Sequence, residues 1–163
     1  MTVTHRMIPM LATALLCASC AVERGGAYRD AAAPMGVTTR FDAARFAGSW
    51  MLWESFGPAA PGSFVFEERN GVLQISGPAA LDLAGDYRNG APGEFVAKAP
   101  NGETLVVMWV DEDFETAAIG TVSGSFGAIL DRDGFVPPDR AQAARDIMEF
   151  YGWDVRTLER TVL

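Results

Sequence analysis

The feature that most constrains this chain is a train of short β-type runs separated by tight-turn signals at near-regular spacing. From Phe41 onward, apolar or alternating segments fall at about 48–56, 62–67, 71–76, 81–87, 93–98, 104–111, 115–122 and 125–131. Between them stand Gly57-Pro58, Pro61-Gly62, Asn70-Gly71, Gly77-Pro78, Asn89-Gly90, Pro92-Gly93, Asn101-Gly102 and Ser123-Gly124. An Asn-Gly pair between β-type runs signals a hairpin, because both residues tolerate positive φ. No long helical pattern separates the runs, which argues against a parallel α/β sheet. Eight short strands in series predict an antiparallel sandwich or barrel.

One helix follows. Pro137-Pro138 opens it, and Ala141, Ala144, Ile147, Met148 and Tyr151 recur at spacings of three and four over Asp139 to Tyr151. Such a stripe must bury against something. Gly152 is a good terminator, and Trp153, Val155 and Leu158 beyond it are expected to pack the tail against the strands. Eight strands and one packed helix fit an up-and-down barrel. Such a barrel closes every edge and can leave room for one small ligand.

Composition removes whole classes of chemistry. The only histidine is His5, the only lysine is Lys98, and the cysteines are Cys17 and Cys20. Beyond residue 20 there is no histidine or cysteine for a zinc site, a thiol nucleophile or a Ser-His-Asp arrangement. No metal or cofactor is therefore expected. Net charge is −8, and residues 1–20 carry Arg6 and no acid, so the rest is one unit more acidic. That argues against nucleic acid and against electrostatic docking on anionic lipid. Nothing in the sequence sets the oligomeric state.

Residues 1–20 read as an address. Arg6 precedes an apolar run from Met7 to about Cys17, too short to span a bilayer and right for a secretory signal. The end, Leu16-Cys17-Ala18-Ser19-Cys20, resembles a bacterial lipobox, with Cys17 where an aliphatic residue is usual. This implies a lipidated Cys20 anchoring the chain to a membrane. Ala21 after it resembles the outer-membrane sorting pattern. The alternative is an ordinary cleaved signal with Cys20 incidental. Residues 21–40, rich in Ala and Gly, read as a flexible tether, which leaves 41–163 as the domain.

Three ordered segments then resemble the lipocalin family, in its bacterial outer-membrane lipoprotein branch. The first runs from Phe41 to Trp50 and ends in Gly48-Ser49-Trp50. The second is Val110-Asp111-Glu112-Asp113-Phe114-Glu115-Thr116-Ala117. The third is Gly127-Ala128-Ile129-Leu130-Asp131-Arg132. Phe150-Tyr151-Gly152-Trp153-Asp154-Val155 after the helix adds to the likeness. Met51, Phe114 and Ala128 depart from the aromatic residues common at those positions. The resemblance implies an all-β, eight-stranded antiparallel up-and-down barrel with one C-terminal helix packed outside. It further implies that Gly48, Trp50 and Arg132 close one mouth, with the arginine lying on the indole. These three are barrel-closing residues, not ligand contacts.

Alternation nominates the interior. Trp50, Leu52, Glu54 and Phe56 share one face of the first strand, and Phe64 and Phe66 one face of the second. Phe95 stands out in the fifth. In the sixth, Val107 and Trp109 share a face opposite Val106, Met108 and Val110. The candidate ligand contacts are thus Leu52, Glu54, Phe56, Phe64, Phe66, Phe95, Val107 and Trp109. Glu54 would either reach the rim or lie inside, capping a ligand's head or meeting Arg88. The acidic run Asp111–Glu115 lacks EF-hand spacing and reads as a solvated turn.

The function that follows is binding, storage or transport of a small apolar ligand, of the fatty acid (palmitate) or lysophospholipid class, at the bacterial outer membrane facing the periplasm. One alternative is a structural envelope-maintenance lipoprotein whose barrel is filled by its own side chains. The other is a lipid-modifying enzyme using Glu54 as general acid–base. No catalytic residue is assigned.

Overall fold

A computed structural model describes residues 28–57, 61–70, 72–78 and 83–161. The elements run in the expected order. A one-turn helix α1 (Ala43–Phe46) leads into β1 (Gly48–Phe56), β2 (Ser63–Arg69), β3 (Val72–Ser76), β4 (Gly85–Asn89), β5 (Glu94–Ala97), β6 (Thr104–Val110), β7 (Thr116–Thr121) and β8 (Gly127–Asp131). Helix α2 (Pro138–Phe150), a 3₁₀ turn (Val155–Thr157) and a short β9 (Leu158–Arg160) complete the chain.

Each of β1 to β8 pairs antiparallel with its sequence neighbours among these eight, and β8 returns to β1. With β1 also paired to β2, the eight strands form a closed up-and-down barrel. Asn70 and Asn101 adopt the positive φ that the sequence predicts, 56° and 63°, whereas Asn89 ends β4 and the turn after it takes positive φ at Gly93, 86°.

β1 divides its pairing along its length. Its first half pairs with β2 as far as Met51↔Ser63, and its second half pairs with β9 over Glu54↔Arg160 to Phe56↔Leu158. The ninth strand was not expected. It covers the edge that β2 leaves as it bends away, which removes a row of unpaired backbone groups.

Helix α2 lies outside, as expected, packed on β6 and β7. Its buried stripe is Ala141, Ala144 and Met148, flanked by Ile147 and Tyr151. Gly152, at φ 87°, ends it in a Schellman motif: Trp153 N–H donates to the Met148 carbonyl and Gly152 N–H to that of Glu149. Trp153 then seats against the barrel over Gly120 and Gly127. A Cβ at either glycine would stand within 2.5 Å of the ring.

Residues 28–40, expected as part of a loose tether, lie instead along the outer wall. Tyr28, Met35 and Val37 pack against the outer core, and Arg29 forms a bridge with Trp153. The buried Arg29 guanidinium donates to the carbonyls of Tyr151 (2.9 Å), Val122 (3.3 Å) and Ala33. Apolar side chains and the three carbonyls that Arg29 engages hold this stretch although it has no periodic pattern. Cys17, Cys20 and the rest of residues 1–27 lie outside the described residues.

Two separate cores result. One fills the barrel and includes Phe46, Trp50, Leu52, Phe64, Phe66, Phe95, Val107 and Leu130. The other lies between the outer wall, α2 and the N-terminal segment, and includes Trp53, Phe56, Met108, Ile129, Met148 and Trp153.

Candidate functional site: the barrel interior

The interior is built upward from a sealed floor. Gly48 enters β1 at φ 102°, a conformation that disfavours a side chain, and a Cβ there would stand 3.2 Å from Arg132 Nη1. Two residues on, Trp50 is fully buried, and its indole N–H donates to the Phe46 carbonyl at 2.8 Å. Arg132, just after β8, lays its guanidinium over that indole, 3.8 Å from the ring centroid. It also donates to the carbonyls of Ser49 (2.8 Å), Arg45 (2.7 Å), Ala47 (3.1 Å), Phe46 (3.2 Å) and Phe114 (3.3 Å). Burial pushes the Arg132 pKa down and the nearby Glu115 charge opposes that shift; arginine stays charged throughout. Arg45 covers Phe114 in the same way at 4.2 Å. The closing trio expected from the family resemblance is thus assembled in one place. Phe46, Arg45 and Phe114 belong to the same floor and carried no periodic signal, since they sit in α1 and in a turn.

Above the floor the rings touch one another. Phe46 meets Trp50 and Phe66 at centroid distances of 4.8 and 4.9 Å. Phe66 meets Phe95 at 6.4 Å and Phe64 at 6.2 Å. At the far end Phe64 meets Phe126 at 5.8 Å. Leu83 is buried at that end too, and its carbonyl accepts the Tyr87 hydroxyl at 2.8 Å. Of the eight nominated contacts, Leu52, Phe64, Phe66, Phe95 and Val107 face this interior.

Glu54, Phe56 and Trp109 do not: against the expected alternation, they lie on the outer wall. The cause is the same in each strand. The β1–β8 register shifts between Leu52 and Glu54, and the β6–β7 register shifts between Val107 and Trp109. A β-bulge adds one residue and reverses the alternation beyond it. Leu52 therefore pairs with inward Leu130, while Glu54 pairs with outward Ile129. Val110, expected on the outer face, turns inward opposite Ala117.

Glu54 meets Arg145 of α2, not Arg88 or a ligand. Arg145 Nε donates to Glu54 Oε2 at 3.1 Å and its Nη2 to Oε1, a two-pronged pair on the outer wall. The acid is almost wholly buried and the arginine about one-third exposed. The acidic turn is also structural: Asp111 accepts from the backbone N–H groups of Glu115 (2.7 Å) and Thr116 (2.8 Å), and Arg140 spans Asp111 and Asp113.

The same bulge gives the interior a polar group that alternation missed. Ser55 sits opposite inward-facing Ala128, in the half of the barrel away from Trp50. It is 1% exposed, and its hydroxyl has no hydrogen-bond partner among the described residues. Leaving a buried hydroxyl unpaired costs about 1–3 kcal/mol.

The closed barrel is compatible with the lipocalin resemblance. Compared with known families and curated proteins, the chain matches no family model and no curated protein.

Proposed function

We propose that this chain is a lipocalin-like binding protein for a small apolar molecule with a polar head, of the fatty acid or lysophospholipid class. The observation that carries the reading is the unpaired Ser55 hydroxyl inside a barrel lined mainly by apolar side chains. A head group that hydrogen-bonds Ser55 would relieve that cost while its chain lay among Leu52, Phe64 and Val107. The floor under Trp50 is sealed, so a ligand enters past Phe64 and Phe126 and must part those rings. The proposed setting is the periplasmic face of a bacterial outer membrane, with Cys20 acylated and no catalytic step.

A second reading has its own support. The unbroken ring contacts from Trp50 to Phe126 favour a barrel filled by its own side chains, acting in the envelope through its surface. The enzyme reading lost its acid–base candidate, since Glu54 is held outside by Arg145. Delipidated protein titrated with a fluorescent fatty acid, followed by native mass spectrometry, separates the first two. Saturable one-to-one binding that weakens in Ser55→Val supports the binding protein. Absence of saturable binding with the fold intact supports the filled barrel.

A further inference from the structure

Three hydroxyls on β1 to β8 face the barrel interior, and they differ in what they bond. Tyr87 donates to the Leu83 carbonyl at 2.8 Å. Thr121, opposite inward Leu105, donates to the Phe126 carbonyl at 3.2 Å and accepts from the Phe126 N–H at 3.0 Å. Ser55, opposite inward Ala128, has no partner among the described residues. It lies near the end of β1, at the mouth of the barrel away from Trp50. β9 adds two groups to the Ser55 face. Glu159 pairs with Ser55, which sets their Cβ atoms about 5 Å apart, and its side chain is exposed at the rim. Thr161 N–H donates to the Trp53 carbonyl at 3.0 Å, which extends this pairing one residue past Arg160. Arg160 stacks on Trp53 of the outer core, so alternation turns Thr161 to the Ser55 side. The Thr161 hydroxyl is also buried and without a partner among the described residues.

Charge at this site is one-sided. No lysine or arginine occupies an inward position of β1 to β8. Arg132 lies under the Trp50 indole with its donors on five carbonyls. Lys98, the only lysine, follows β5, four strands round the barrel from β1. Segments 58–60 and 79–82 lie outside the described residues, and their sequence contains no lysine or arginine. A carboxylate brought to Ser55 would lose its water, meet no cation and lie beside the Glu159 acid. Burying an unpaired ion costs far more than a hydrogen bond to one hydroxyl returns. An uncharged oxygen gains the same bond without that cost.

We propose that the polar group received at Ser55 is uncharged: the ester of a monoacylated glycerol lipid, with Ser55 donating to its carbonyl and Thr161 offering a second hydroxyl on the same side. The proposal rests on the binding reading above and narrows it. Within the fatty acid and lysophospholipid class the acyl ester is selected, and the ionised fatty acid is the weaker ligand. Monoacylglycerols and lysophospholipids share that ester. A lysophospholipid would leave its phosphate in water beyond the rim.

The test puts three heads on one twelve-carbon chain: monolauroylglycerol, lauroyl lysophosphatidylcholine and laurate. Each is titrated calorimetrically into the delipidated full chain below its aggregation concentration, at pH 8, where laurate is ionised. The expected result is that at least one ester binds at least tenfold more tightly than laurate, and the tighter ester names the source. Ser55→Ala should weaken that ester about three- to tenfold, with the fold checked by its urea midpoint. Glu159→Lys, at an exposed position, should raise laurate affinity severalfold and leave monolauroylglycerol unmoved. Laurate binding as tightly as both esters overturns the proposal; if that binding is then lost in Lys98→Gln, an anionic head lies across the barrel instead. Unchanged ester affinity in folded Ser55→Ala overturns it as well, and so does a laurate affinity indifferent to Glu159→Lys. If none of the three binds while the fold is intact, the binding reading itself fails and the proposal falls with it.

Discussion

Replacing Arg132 tests whether the floor is held by one side chain. In Arg132→Ala two kinds of interaction vanish together. The stacked cation at 3.8 Å from Trp50 is worth about 0.5–2 kcal/mol, towards the upper end where water is excluded. The guanidinium also satisfies five carbonyls in and around α1, the start of β1 and the β6–β7 turn. Several of these contacts are near the surface, so water replaces part of what is lost. A net loss of about 1–2 kcal/mol from the hydrogen bonds is reasonable, since unpaired buried acceptors cost that much. The whole substitution is then expected to lower the unfolding free energy by about 2–4 kcal/mol. Urea denaturation followed by far-ultraviolet circular dichroism reads this as a shift in midpoint at unchanged slope.

The contact between Arg132 and Trp50 can be isolated from the rest of the floor. In a double-mutant cycle of Arg132→Ala with Trp50→Phe, the coupling energy is expected at about 1–2 kcal/mol, because the two groups are in direct contact. Arg132→Lys should recover less than half of the loss, having neither a planar face to stack nor the forked donors. A loss under about 1 kcal/mol for Arg132→Ala, or a coupling indistinguishable from zero, would refute the idea that this contact closes the barrel.

Gly127→Ala places a Cβ 2.5 Å from the Trp153 ring; overpacking should cost about 1–3 kcal/mol and loosen α2, seen as faster amide exchange over Ala144–Met148. Arg145→Ala strands the buried Glu54 carboxylate, and since Arg145 is about one-third exposed the loss should be about 1–3 kcal/mol, below that of a fully buried pair. The paired change Glu54→Gln with Arg145→Met should restore most of it; failure to do so would mean that the pair is not the source. Phe126→Ala removes a ring at the mouth and should cost about 3 kcal/mol, yet raise the affinity for a fluorescent fatty acid severalfold. Unchanged or lower affinity would count against entry past that ring.

Legibility in the sequence followed physical locality. The eight strands and α2 were readable because turn chemistry and periodicity are local properties: Asn70 and Asn101 carry the positive φ their hairpins need, and Gly152 stops the helix where its spacing ends. The floor was readable only through likeness to a family pattern, because nothing local ties Arg132 to a tryptophan 82 residues earlier. The short β9 escaped notice because three residues make no pattern; it forms because β2 abandons half of β1. Residues 28–40 read as part of a tether because the stretch 21–40 is rich in Ala, Gly and charge and has no clear period. Their burial depends on a few anchors, Tyr28, Arg29 and Val37, whose partners are all distant in sequence.

The two bulges, which no local signal announced, decide what the barrel can do. They lie in β1 and β6, so the strands between their affected registers, β7 and β8, back the region on which α2 and Trp153 settle. Without them, β1 would carry Glu54 and Phe56 into the interior, and β6 would carry in Trp109. A carboxylate there would have no Arg145, and the outer core would lose Phe56. With them, the aromatic bulk goes outside to hold the helix, Ser55 turns into the half of the interior away from the floor, and Val110 turns inward at the floor end. The floor half is locked by Arg132 and by ring contact. The mouth half of β1 is wider in its pairing choices, freed from β2 and edged by β9. In the proposed binding reading, ligand chemistry therefore belongs to the mouth half, where the unpaired hydroxyl and the Phe64–Phe126 contact both lie.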